Sequence, residues 1–192
     1  DEQPKTLGLH EVELGKNYAL IISTNAGLWR YKIGDTIKFT SLSPYRFQIS
    51  GRTKQYINTF GEEVIVDNAD QALHIACNAT DAIIKDYTAG PVYFSDKDAG
   101  AHEWIIEFEK QPSDFNKFCE TLDTTLREIN SDYDAKRFKN LALGRPLIHN
   151  APKDTFYTWM KSRGKLGGQN KVPRLANNRD YLEPLLKLIH QI

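Results

Sequence analysis

Four short strand-like runs crowd into the first fifty residues, and together they are too small to build a core of their own. Tyr18-Ala-Leu-Ile-Ile-Ser23 is a continuous apolar run that reads as a buried strand. Leu28 to Tyr31 and Thr36 to Leu42 read as two more, turned by Gly34-Asp35. Arg46 to Ile49 makes a fourth, with Pro44 in the turn before it, where its missing N–H costs little. So few strands are stable only against further structure. Residues 1–50 are therefore predicted to finish a larger sheet whose other strands lie elsewhere.

The remainder, residues 51–192, has a different rhythm. Gly51 to Asn58 reads as a turn feeding a strand. Asp67 reads as the N-cap of a helix with Ala69, Ala72, Leu73, Ala76 and Cys77 on one face. Ala82 to Tyr87 reads as a strand, and Pro91 to Phe94 with His102 to Phe108 as a hairpin. Ser113 is placed to cap a helix with Phe115, Phe118, Cys119, Leu122, Leu126 and Ile129 at helical spacing. Leu141 to Ile148 reads as a strand and Asp154 to Met160 as a short helix. Ser162 to Pro173, rich in glycine, reads as a loop, and Asn178 to Ile192 as a final helix. The fold class predicted is α+β: end strands of a β-subdomain, then a compact mixed-sheet domain with packed helices.

The chain carries 25 basic and 25 acidic residues, so no net field draws it to nucleic acid or to a membrane surface. The charges are separated along the chain, however. Residues 62–132 hold sixteen acids and five bases, whereas residues 136–179 hold eleven bases and one acid, Asp154. The basic stretch suits a phosphate or carboxylate, and equally a solvated basic face. The apolar runs are too short to span a bilayer, and the opening Asp-Glu-Gln-Pro-Lys shows no signal-peptide pattern. Cys77 and Cys119 lie in no metal-binding or redox spacing, which predicts buried thiols in a reducing cytoplasm. The first residue is not Met, which suggests a fragment or a processed product.

Thr24-Asn-Ala-Gly-Leu-Trp-Arg-Tyr-Lys-Ile-Gly-Asp35 resembles the Ala-Gly-Leu-Tyr-Arg-Tyr-Arg-x-Gly-Asp signature of the Gretchen Hagen family. These are the auxin-responsive acyl acid–amido synthetases and their bacterial relatives, and the likeness is read as to a bacterial-type member. Gly51-Arg52-Thr-Lys54, with Ile57 and Gly61-Glu62, is similar to the hinge segment of the wider firefly-luciferase-like adenylating superfamily. Asn170-Lys171-Val-Pro-Arg174 resembles the family's terminal Lys-x-Pro-Arg. The three blocks come in the family's order. The resemblance implies a C-terminal portion of an ATP-dependent enzyme. Residues 1–50 would end its large domain, and residues 51–192 would form a mobile lid. A carboxylic acid would attack the α-phosphorus of ATP, and an amine or amino acid would then displace AMP. ATP and Mg2+ would be held mainly by an N-terminal domain, because the family's phosphate loop and acyl pocket have no counterpart in these residues. On that ground the chain alone is expected to be inactive.

The resemblance also implies roles for individual residues. Asp35, a two-oxygen acceptor, would bind the paired ribose hydroxyls; by residue type alone it equally suits a Gly-Asp turn. Arg52 would brace ribose or phosphate, or else form a salt bridge between domains. Lys54 stands at the hinge position, where backbone rotation separates catalytic states. Lys171 would be the catalytic lysine, closing on the α-phosphate, with Lys165 as its rival in a loop that also holds Lys161, Arg163 and Arg174. Arg30 and Tyr31 would brace the site. The five histidines share no spacing and read as structural. Two other functions fit the same residues: thioester formation with coenzyme A, and a non-catalytic module that binds a polyanion through residues 136–179.

Overall fold

The computed structural model describes residues 5–53, 55–93, 99–140, 142–167 and 171–190. The chain forms two compact units, residues 1–53 and 54–192. The first is a three-stranded antiparallel sheet in the order β1-β2-β3, with β1 at Asn17–Ile22, β2 at Tyr31–Leu42 and β3 at Tyr45–Arg52. The sequence predicted strands at Leu28–Tyr31 and Thr36–Leu42 with a Gly34-Asp35 turn; the fold leaves Leu28, Trp29 and Arg30 outside any strand, and the single strand β2 starts at Tyr31 and runs on through Gly34-Asp35. Gly34 stays in the strand at φ +90, a conformation that glycine adopts without penalty. Its carbonyl accepts the Thr53 N–H at 2.9 Å, so the ladder bends there and does not reverse. Gly51 and Arg52, expected in a turn, continue β3 instead. Ile37 and Phe39 are this unit's fully buried hydrophobic residues among those described, and Tyr18, Tyr45 and Phe47 pack edge-on around Phe39.

The second unit opens with a two-stranded ribbon of β4 (Tyr56–Ile57) and β5 (Val64–Ile65), then α1 (Val66–Thr80). Strands β6 (Ile83–Val92) and β7 (Ala101–Lys110) pair antiparallel, and β8 (Leu147–Ala151) adds parallel to β7, giving a mixed sheet. Helices α2 (Phe115–Ile129), α3 (Ser131–Arg137), α4 (Thr155–Ser162) and α5 (Leu182–Ile189) complete it.

The strict alternation of β7 sorts this sheet into two faces. Trp104, Ile106 and Phe108 share a cluster with the buried alanines of α1 and with Phe118, Leu122 and Leu126 of α2. Ile105 joins a second cluster with Phe156, Trp159 and Met160 of α4 and Leu182 and Leu185 of α5. Both faces of one sheet are thus covered by helices, as an α+β domain with packed helices requires.

Several boundaries differ from those read in the sequence. The separate strands expected at 82–87 and 91–94 are replaced by one strand, β6, which ends at Val92, because Gly90 and Pro91 pair with Glu103 and His102 without interruption; Phe94 lies outside the described residues. Asp114, and not Ser113, caps α2, accepting the Lys117 N–H at 3.0 Å. Asp67 falls in the first turn of α1, whose cap is Ile65, and there its charge favours the helix dipole. Helix α3 gave no periodic signal in seven residues, yet Tyr133 is fully buried and Asn130 caps it through the Tyr133 N–H at 2.8 Å. Cys77 and Cys119 are free and only partly buried. No helix among the described residues is long and apolar enough to cross a membrane.

Candidate functional site

Asp35 and Arg52, seventeen positions apart in sequence, are cross-strand partners on β2 and β3. The Arg52 Nε lies 3.3 Å from Asp35 Oδ1. The carboxylate is mostly covered and the guanidinium mostly exposed, with side-chain exposures of 20% and 65%. Arg52 therefore braces Asp35 while keeping donors toward solvent. The extra residue in β3, Ser50, is what sets this register: Thr36 faces Gly51 while Ile37 faces Ile49. The buried Ser50 hydroxyl donates to Thr36 Oγ1 at 3.2 Å and closes the bulge. Arg30 and Tyr31 lead into β2 and are both exposed, and the Arg30 N–H donates to Ser23 Oγ at 3.0 Å. Lys54, the hinge candidate, lies outside the described residues.

Lys171 lies in the second unit, at the mouth of a groove of about 410 Å³ that Lys165 also lines. The chain just after Lys171 is pinned to the free edge of β6. Ala89 N–H donates to the Arg174 carbonyl at 2.9 Å, and Ala176 N–H donates to the Ala89 carbonyl at 3.0 Å. The Thr88 hydroxyl donates to the Pro173 carbonyl at 2.7 Å. The Arg174 guanidinium pairs with Asp86 and lies 4.6 Å over the Tyr87 ring. Tyr87 in turn donates to Asp70 of α1 at 2.6 Å. Lys171 thus presents an exposed side chain just before an anchored stretch of backbone.

The groove is built over an ion-paired floor in which Lys85 and Arg174 meet three carboxylates, Glu107, Asp154 and Asp86. Glu107, fully buried, accepts from Lys85 Nζ at 2.8 Å, from the Asp154 N–H at 2.8 Å and from the Phe156 N–H at 3.1 Å. Lys85 also donates to Asp154 Oδ1 at 2.7 Å. Its two carboxylate hydrogen bonds hold the Lys85 ammonium well above the usual lysine range, with Asp154 the larger influence, and the same contact holds Asp154 below its usual value. Burial raises Asp86 against the opposing charge of Arg174. By contrast, no acid among the described residues pairs with Lys165 or Lys171, and both side chains are exposed. Such ammonium groups are available to an anion of substrate.

Sequence reasoning placed Lys171 and Lys165 in one loop but missed Lys85, Asp86, Glu107 and Asp154 beneath them. No spacing could have found these, because the Lys85–Glu107 and Lys85–Asp154 contacts join residues 22 and 69 positions apart. The basic stretch also proves less free than its composition suggests. Arg137 pairs with Asp123, Arg174 with Asp86 and Arg179 with Glu103. Two histidines hydrogen-bond to glutamates at their ring Nε2: His102 to Glu62 at 2.8 Å and His149 to Glu103 at 2.7 Å. Among the described residues no group of three or more His, Cys, Asp or Glu side chains is arranged to hold a metal ion.

Two family profiles cover this arrangement: the GH3 family central domain matches residues 1–52, and the GH3 family C-terminal domain matches residues 67–180. The chain belongs to the GH3 family. Its relatives include a probable indole-3-acetic acid-amido synthetase GH3.1 of Arabidopsis thaliana, 27% identical over 94% of this chain and 32% of that protein. A jasmonoyl–L-amino acid synthetase JAR4 of Nicotiana attenuata is 26% identical over 90% of this chain and 31% of that protein. The solved GH3.15 acyl acid amido synthetase superposes with a TM-score of 0.72 at 22% identity, covering 95% of this chain and 34% of that one, which shows a shared fold. This GH3 chain therefore spans about a third of the length of the curated relatives it matches. Those relatives are amido synthetases.

Proposed function

We propose that this chain supplies the central-to-C-terminal part of an ATP-dependent acyl acid–amido synthetase. In the first half-reaction the carboxylate of a small acid attacks the α-phosphorus of ATP, forming an acyl-adenylate and releasing pyrophosphate. In the second, an amine or amino acid attacks the acyl carbonyl, and AMP leaves as the amide forms. The acyl acid amido synthetases among its relatives support the reaction class. Asp35, braced by Arg52, accepts from the ribose hydroxyls through its two oxygens. Lys171 delivers an unpaired ammonium to the oxygens of the α-phosphate as negative charge builds there.

The observation that carries this reading is the contrast within the groove. Lys85 and Arg174 are held by carboxylates, whereas Lys165 and Lys171 at the rim are not. Mg2+ would join this chemistry from outside the described residues.

The test is acid-dependent ATP–pyrophosphate exchange in the enzyme that contains this chain. Lys171→Ala is expected to slow exchange about 100-fold, the usual effect of removing one transition-state contact. Lys165→Ala is expected to change it far less. Unchanged exchange in Lys171→Ala would remove that lysine from the reaction, and a large effect confined to Lys165→Ala would transfer the role. Product analysis with amino acids and with coenzyme A as acceptors separates amide from thioester formation.

A further inference from the structure

We propose that the cleft lined by α2, by Arg137, Phe138 and Lys139 and by Arg145 and Pro146 is a second anion site, built for a phosphate-bearing small molecule. The cleft encloses about 480 Å³, and four cations line it, Arg127, Arg137, Lys139 and Arg145, against two carboxylates, Glu120 and Asp123. None of these residues lines the groove at Lys171.

The cations divide into two that are held and two that are not. Arg137 is buried and grips Asp123 in a fork, with Nε at 2.9 Å and Nη2 at 2.6 Å, while its Nη1 donates to the Leu143 carbonyl at 3.0 Å. Tyr133 also donates to Asp123, at 2.9 Å. Arg127 donates from Nε to Asp134 at 2.6 Å. These contacts make a rigid, charge-matched wall. Lys139 and Arg145 remain, both exposed and neither with an acidic partner among the described residues. Lys139 has φ +53, a left-handed conformation that a lysine rarely adopts, and its ammonium sits 5.3 Å from the centre of the Phe138 ring. Such outliers persist where the surroundings impose them, and they gather at ligand clamps. With that wall charge-matched, Lys139 and Arg145 stand against Glu120 alone, a net excess of one positive charge, and their two unpaired cationic heads can take separate oxygens of one phosphate. A guanidinium and an ammonium together suit its tetrahedral oxygens.

Cys119 lies partly buried on the same cleft wall and reports occupancy of this site alone. Cys77, on α1 and away from the cleft, is an internal control. The experiment measures alkylation of both cysteines by iodoacetamide in the full-length protein, followed by peptide mass spectrometry. Inorganic phosphate, a nucleoside monophosphate and sodium chloride are titrated at matched ionic strength. At about ten times the dissociation constant, bound ligand is expected to slow Cys119 alkylation about tenfold, in proportion to the unliganded fraction, and to leave Cys77 unchanged. Tighter protection by the nucleotide assigns the phosphate to a larger ligand, and equal or tighter protection by inorganic phosphate assigns the free ion. The double variant Lys139→Gln with Arg145→Gln is expected to lose the protection; both side chains are exposed, and circular dichroism checks the fold. No protection by either phosphate, equal protection by chloride, or protection that survives in the double variant would overturn the proposal.

Discussion

Glu107 shows how one residue can anchor a site that it does not enter. Its carboxylate, buried on the middle strand of the mixed sheet, ties the start of α4 and Lys85 together. Glu107→Gln keeps the shape but places an NH2 group among donors, which leaves at least one buried N–H unanswered. The expected cost is about 1–3 kcal/mol, read as a lower urea midpoint of the chain. Glu62 makes a second residue-scale case. Burial opposes its ionisation, but the hydrogen bond and charge of His102 and the N–H of Phe60 outweigh that and hold it below its ordinary value. A depressed carboxylate adds stability that is present above the unfolded value and is lost as pH falls through the folded one. Stability is therefore expected to decline below about pH 4.5, the ordinary glutamate value, and urea midpoints measured against pH should show a shallower acid decline in Glu62→Gln. Glu107 was not visible as special in the sequence, and Glu62, although it belongs to the hinge-like block, was not read there as the buried partner of a histidine.

At the scale of elements, the free edge of β6 carries the most consequence. The chain from Val172 to Ala176 runs along it, and α5 closes over it. Gly90 makes this possible: a Cβ there would stand 2.8 Å from the Asn178 carbonyl oxygen and 3.0 Å from Leu182 Cδ1. The first of these is backbone and cannot swing aside. Gly90→Ala is expected to destabilise the chain by about 1–3 kcal/mol and to lower its thermal midpoint. The effect should reach the stem beneath Lys171, so, on the role proposed for that lysine, acid-dependent ATP–pyrophosphate exchange in the full-length protein should slow as well. Strand and helix periodicity revealed most of these elements, since β1, β7, α2 and α5 each show their apolar spacing openly. The continuation of β2 through Gly34-Asp35, and of β6 through Gly90-Pro91, was not visible. A Gly-Asp or Gly-Pro pair signals a turn locally, and only pairing with the neighbouring strand keeps it extended.

For the molecule as a whole, the two units differ in how much core each owns. Residues 54–192 hold two apolar clusters on opposite faces of one sheet. Residues 1–53 bury little beyond Ile37 and Phe39 among those described, and they leave Trp29, Phe47 and Ile49 more than half exposed. Expressed alone, residues 54–192 are expected to unfold cooperatively with denaturant, while residues 1–53 are expected to show no cooperative transition, because a three-stranded sheet with so small a core is marginal. Far-ultraviolet circular dichroism of the two pieces checks both statements. The amino-acid order alone determined the α+β class, the insufficiency of the first fifty residues and the family motifs that hold Asp35, Arg52 and Lys171, because periodicity and short motifs are local properties. Tertiary structure alone decided which charges are free. The acids of residues 62–132 and the bases of residues 136–179 are far apart along the chain, and only folding sets Arg137, Arg174 and Arg179 against their carboxylates while leaving Lys165, Lys171, Lys139 and Arg145 facing water.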